Sequence, residues 1–246
     1  MPQAYSEVQR GYSAPDGERY AAWAGPPDAA RAVCLFGPLG SEAVNARRIL
    51  HHALLALAAE GYGVLALDPR GTGESAGEFE DATVESLAVD AACAVQELAD
   101  RFPAAERRLA AFRYAALPVL AAGLEDEVER LLLVDPCLDA RQAIRLDLRL
   151  EIVRQMQRRG RVDRDRDELL AELAAGRPIV LDGQLLTPAL YDGLVAIDGD
   201  AALRTWGERA AVWRSERGAG LFGAANGGIV LRSEPLEQAL SDWLRA

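Results

Sequence analysis

The chain has 246 residues, long enough for one large α/β domain with a proper core. Half of the residues are hydrophobic, 6% are aromatic and 26% are charged, which excludes a disordered chain. The formal net charge of −11 argues against a nucleic-acid partner, because such binding rests on neutralising phosphates. All 27 basic residues are arginine, so neither a Schiff-base lysine nor a lysine general base is available.

The N-terminal stretch MPQAYSEVQRGYSAPDGERY lacks an apolar signal region, and no apolar run is long enough to span a bilayer. Cys34, Cys93 and Cys137 are far apart and lack metal-ligand spacing. Their odd number suits reduced thiols. The expectation is a cytoplasmic protein with no metal, no cofactor and no membrane partner.

Strand-like and helix-like segments alternate over the first 140 residues. AVCLF (32–36) predicts a buried strand, and residues 41–61 predict a helix capped by Ser41 and closed by Gly61. GVLALD (63–68) is the next strand, and PRGTGES is a turn after it. Residues 82–102 predict a helix, RRLAAF (107–112) a strand, residues 114–123 a helix, and RLLLVDP (130–136) a strand. This alternation predicts parallel βαβ units in a doubly wound sheet, whose function sits at the carboxyl ends of the strands.

From about 138 to 178 the texture becomes Arg-rich and helical, broken near Gly160. It predicts a small helical cap inserted into one domain that spans 1–246. The run RGRVDRDRDE mixes both signs and reads as a solvated helix junction. PIVLDG (178–183) predicts a short strand and TPALYDGLVAI (187–197) a helix with Pro in its first turn. ERAAVWRSE (208–216) and GGIVLRSE (227–234) predict late strands, and residues 235–246 a closing amphipathic helix.

LDPRGTGES (67–75) is the most specific local signal. Gly71 and Gly73 permit a tight turn, and Asp68 and Ser75 can close hydrogen bonds across it. The spacing fits neither a phosphate loop nor a dinucleotide fingerprint. The segment resembles the turn after the fourth strand of α/β-hydrolases, where D-x-R-G-x-G-x-S is frequent. AVCLFGPLG then resembles the strand and oxyanion loop of that superfamily, and LAAFRYAAL (109–117) falls where its nucleophile elbow would be. Pro38, Glu42, Asn45 and Arg48 follow a P-x-x-x-E-x-x-N-x-x-R run typical of the hydrolase subgroup associated with exosortase systems. The resemblance implies an α/β-hydrolase-like, mostly parallel sheet with helices on both faces and a helical cap.

The departures bear on chemistry. The nucleophile position holds Arg113, whose guanidinium stays protonated, and the flanking glycines are replaced by Ala111 and Ala115. The only histidines, His51 and His52, lie in the helix after the first predicted strand. A Ser-His-Asp triad cannot be assembled in the usual order. Arg113 and Glu42 are the candidate catalytic residues, the first as an anion anchor and the second as a base. Whether Glu42 pairs with Arg113 or merely stabilises its helix end stays open.

Phe36, Gly37, Pro38, Leu39, Asn45, Arg48, Phe112, Tyr114, Asp135 and Cys137 are the candidate ligand-binding residues around those strand ends. The expected function is binding of a small or peptide-like anionic ligand under the cap, with room for isomerase- or cyclase-type chemistry. Two alternatives remain: a non-catalytic partner of another enzyme, and an esterase or thioesterase using Cys137 or water. A homodimer or a complex with a partner enzyme is also left open.

Overall fold

A computed structural model describes residues 9–14, 17–181, 183–215 and 233–246. Its centre is a sheet whose apolar strands are covered on both faces. Two N-terminal strands, β1 (Gln9–Ala14) and β2 (Gly17–Ala24), form an antiparallel hairpin. Four strands follow in the parallel core: β3 (Arg31–Phe36), β4 (Gly63–Asp68), β5 (Glu106–Phe112) and β6 (Arg130–Val134). Two later strands, β7 (Ile179–Leu181) and β8 (Gln184–Leu186), stand apart as a separate hairpin, and β9 (Ala210–Trp213) returns to the sheet. The main sheet has the order β1-β2-β4-β3-β5-β6-β9. Pairing is parallel from β4 through β3, β5 and β6 to β9, and antiparallel only at β1–β2 and β2–β4.

Each parallel strand is a continuous apolar run because both of its faces are buried. In β3, Ala32, Cys34 and Phe36 enter one core and Val33 and Leu35 the other. Helices α1 (Ser41–Ala59) and α8 (Glu234–Arg245) cover the second core; α2 (Val84–Arg101) and α3 (Ala116–Ala121) cover the first. The buried residues of α1, from Ala46 and Ile49 through Leu50, Ala53, Leu54 and Leu57, recur at helical spacing and give it one apolar face. Between β6 and β9 the chain inserts α4 (Ala140–Arg159), α5 (Arg166–Ala174), the β7–β8 hairpin, α6 (Pro188–Ala196) and α7 (Gly199–Trp206). Gly160 ends α4 in the left-handed conformation (φ 69°), as the sequence break there predicts. None of the described helices is long and apolar enough to cross a membrane.

Several local expectations change. Gly40, with φ 67°, occupies the cap position of α1, so Ser41 is the first helical residue and not the cap. The predicted helix at 114–123 opens instead as a 3-10 turn over Arg113–Ala115 and becomes α-helical only at Ala116. PIVLDG does supply a strand, but its partner is β8 and not the main sheet. The β1–β2 hairpin and α7 have no counterpart in the sequence reading. The late strand expected at 227–234 lies outside the described residues up to 232; Ser233 caps α8 and Glu234 begins it.

The 67–75 turn forms as its residues predict. The Ser75 hydroxyl donates to the Asp68 carbonyl and accepts from the Tyr20 amide, and the Glu74 amide donates to the Asp68 carboxylate. Gly73 has φ 55°, and a Cβ there would lie 1.9 Å from Asp68 Oδ2, which explains the glycine. Behind this turn Asp90 of α2 is fully buried. It accepts from Arg19 Nε of β2 at 2.8 Å, from the Arg70 amide at 2.9 Å and from Arg70 Nη2 at 2.8 Å. One carboxylate therefore ties together α2, β2 and the chain leaving β4. Removing it takes away a buried carboxylate shared by two guanidinium groups, and breaking such a buried pair costs about 3–5 kcal/mol. Asp90→Ala should lose stability of that order in urea denaturation; a loss below about 1 kcal/mol would contradict the role given to Asp90.

Candidate functional site

The carboxyl ends of β3, β5 and β6 converge beside the first turn of α1. The chain leaves β5 at Phe112 and turns sharply at Arg113, whose φ of 56° is unusual for a residue with a Cβ. The chain thus makes a strand–turn–helix corner with Arg113 at its tip. Holding a non-glycine residue there costs roughly 1–3 kcal/mol, so neighbouring contacts must fix it. Asp135, after β6, also has positive φ (45°).

Arg113 is 8% exposed and does not reach into open space. Its Nε donates to Glu42 Oε1 at 2.9 Å, and its Nη1 donates to the Asp135 carbonyl at 3.2 Å. The Cys137 amide donates back to the Arg113 carbonyl. Burial works against the guanidinium charge, but the Glu42 carboxylate beside it more than offsets this and holds the group above its ordinary range. The pairing of Glu42 with Arg113, left open by the sequence, is present. The same contact bears on the expectation for Arg113 as an anion anchor: its Nε and Nη1 are bonded to protein groups.

A cavity of about 120 Å³ lies alongside, between the first turn of α1, the inner face of α4 and the β7–β8 hairpin. Leu39, Ile144, Leu186 and Leu190 are among its apolar walls. Its polar lining comes from Ser41, Glu42, Tyr114, Asp147, Arg154 and Gln184. The Tyr114 hydroxyl donates to Asp147 Oδ2 at 2.6 Å. Burial first, and then the Asp147 charge, push the Tyr114 phenol well above the usual tyrosine range, so it stays protonated.

Of the residues named from sequence, Leu39, Glu42 and Tyr114 line this cavity. Phe36 and Phe112 are fully buried in the two cores and are packing residues. Gly37 and Pro38 are buried at the end of β3, and neither lines the cavity. Asn45 is half-buried one turn further along α1, also outside the lining. Arg48 is exposed and away from the cavity; Arg47, one residue earlier, faces the 67–75 turn and bonds Glu74 at 2.8 Å. The Asp135 carboxylate points toward β9, accepting from the Ser215 amide at 2.8 Å and from its hydroxyl. His51 and His52 are half-buried in mid-α1 and do not line the cavity.

Cys137 is buried, and burial pushes its thiol up to about 12. Arg113 pulls the other way, but Glu42, Asp147 and Asp135 oppose it. The thiol is therefore neutral at physiological pH and a weak nucleophile. Among the described residues, no group of three or more His, Cys, Asp or Glu side chains is placed to hold a metal ion.

Sequence reasoning missed Asp147, Arg154, Phe79 and Gln184. The signal available for Asp147 was an acidic residue three positions beyond Ile144 and one before Leu148, on the inward face of an Arg-rich helix.

No family model matches the sequence, and no curated relative does. The fold has many solved counterparts. It is similar to Est1E from Butyrivibrio proteoclasticus with ferulic acid bound, at 15% identity over 96% of this chain and 97% of that one, with a TM-score of 0.64. It is similar to DcsB in complex with its substrate analogue, at 15% identity over 97% and 98% of the two chains and a TM-score of 0.63. A thioesterase domain from the curacin biosynthetic pathway aligns at 14% identity over 98% and 100%, with a TM-score of 0.56. The chain has the α/β-hydrolase fold.

The thiols give a direct check on the site's electrostatics. At pH 8, iodoacetamide followed by mass spectrometry should label half-buried Cys93 well before Cys137. Equal or faster labelling of Cys137 would show an activated thiol and contradict this description.

Proposed function

We propose that this chain is an α/β-hydrolase-fold protein without serine-triad hydrolysis, and that it binds a small, largely apolar ligand in the cavity beneath α4 and the β7–β8 hairpin. The carrying observation is Arg113: a buried, ion-paired cation stands at the corner where the fold would present a nucleophile. The absence of any histidine after His52 supports the same reading, since a serine there would lack its base. The apolar walls, with few polar groups, suit a small-molecule site. Non-hydrolytic chemistry on the bound ligand, of the isomerase or cyclase type, is the activity open to such a site, with Glu42 and Tyr114 at its wall. The likeness of residues 38–48 to the exosortase-associated hydrolase subgroup favours a hydrolase-like scaffold, from which the substituted elbow departs.

A partner role for another enzyme has one observation in its favour. The outer face of α4 exposes Leu146, Val153 and Met156, each 50–52% accessible. An esterase using Cys137 has less support, because the thiol is held neutral.

A panel of p-nitrophenyl esters and acyl thioesters tests the reading. No turnover above background is expected from the natural chain, from Cys137→Ala or from Arg113→Ser, since a lone serine has no general base. Turnover by the natural chain that Cys137→Ala abolishes would overturn the proposal and establish the thioesterase reading.

A further inference from the structure

The β7–β8 hairpin forms one wall of the cavity. Leu181 and Gln184 are paired across its turn, and Ile179 is paired with Leu186. Side chains two apart along a strand share a face, so these four residues stand together. Three of them are apolar. Ile179 is fully buried, and Leu181, Gln184 and Leu186 line the cavity. A leucine at 184 would complete the apolar face, yet the chain places a carboxamide there. Its Oε1 is buried and has no hydrogen-bond partner among the described residues. It lies at the entry to α1, where a Cβ added to Gly40 would come within 3.9 Å of it. Gly40 lines the same cavity. A buried acceptor without a donor is costly, and native proteins keep few of them. A donor on a ligand would satisfy this one.

The charged groups of the wall are committed to the protein. Glu42 is bonded to Arg113, and in the first turn of α1 it answers the positive end of the helix dipole. Asp147 accepts from Tyr114, and both Asp147 and Arg154 have further contacts. Arg113, expected from the sequence to hold an anion, is outside the lining. Among the described residues, an ion entering this largely apolar cavity would therefore meet only charges already engaged, and its desolvation would go poorly compensated. Gln184 offers a different match. A carboxamide carries an acceptor oxygen and N–H donors in one plane, and a second carboxamide complements both.

We propose that this cavity takes a small neutral carboxamide, whose N–H donates to Gln184 Oε1 while its alkyl chain lies against Ile144, Leu186 and Leu190. Gln184 sets the choice of head group, and the apolar walls accept the chain. The inference deepens the ligand-site reading above and rests on it. It puts a neutral head in place of the anionic ligand expected from the sequence.

Hexanamide, its methyl-ketone isostere and hexanoate share one apolar chain and one carbonyl carbon, and differ in the group attached to that carbon. Each is titrated at pH 7 into the full natural chain and into Gln184→Met, which keeps the side chain's length and removes its amide, with calorimetry as the readout. An amide costs more to desolvate than a ketone in either protein, so the change in their affinity ratio isolates the contact. Gln184→Met should weaken hexanamide about tenfold and leave the ketone unchanged, which also reports that the variant's cavity is intact. The ligand-free variant should melt no lower than the natural chain, since the oxygen it loses has no partner in the protein. An amide-to-ketone ratio indifferent to the substitution, a Tm lowered by it, or hexanoate binding the natural chain as tightly as hexanamide overturns this inference while the cavity remains a ligand site. Failure of all three to bind overturns both.

Discussion

The contact between Arg113 Nε and Glu42 Oε1, 2.9 Å long, joins the corner after β5 to the first turn of α1. Both side chains are largely withdrawn from water, at 10% and 15% exposure. Neither charge could stay there without the other, since an uncompensated buried ion costs several kcal/mol. The contact helps hold Arg113 at φ 56°, and it commits the guanidinium to the protein's own carboxylate. The neighbouring chemistry follows from it. Glu42 is fixed at the cavity wall. The Asp135 carbonyl is bonded to the same guanidinium, while the Asp135 carboxylate turns to Ser215. The field at Cys137 is left to burial and three carboxylates, which together outweigh one cation.

The corner therefore combines a sharp strand–turn–helix backbone with a buried ion pair. A serine at an elbow must be exposed, poised and served by a base. Arg113 is buried, charged and served by an acid. On the far side of β3 and β4 a comparable device holds the scaffold: Asp90 gathers Arg19 and Arg70 behind the 67–75 turn. Arg47 reaches across from α1 to Glu74 and, at 3.5 Å, to Asp68. Arginine is the only strong cation in the chain. Its planar fork suits such multi-contact, partly buried positions better than an ammonium.

The sheet was readable because parallel strands buried on both faces are written as short apolar runs between turn signals. The 67–75 turn was readable because its glycines and side-chain caps act within nine residues. Arg113 could be singled out by its place after an apolar strand, and Glu42 could be named as one possible partner; that the two actually meet, 71 residues apart, is decided by packing. Arg48 was named because it fits the run of the resembled subgroup, but both it and Arg47 are exposed, and Arg47 bonds Glu74 of the 67–75 turn. Asp147 and Gln184 join the site only through the packing of α4 and the β7–β8 hairpin, which local periodicity does not encode. The β1–β2 hairpin escaped because β1 is mostly polar and β2 opens on polar residues and is rich in alanine, with little of the alternation that marks a strand.

The most direct measurement is a double-mutant cycle on the ion pair: Glu42→Gln, Arg113→Met and the pair together, each followed by equilibrium urea unfolding. Backbone strain at residue 113 is common to Arg113→Met and the double variant and cancels in the coupling term. A coupling of at least about 1.5 kcal/mol is predicted, with the double variant more stable than the sum of the single losses implies. A coupling within about 0.3 kcal/mol of zero would mean that Arg113 and Glu42 do not depend on each other, and that the corner is held by something else.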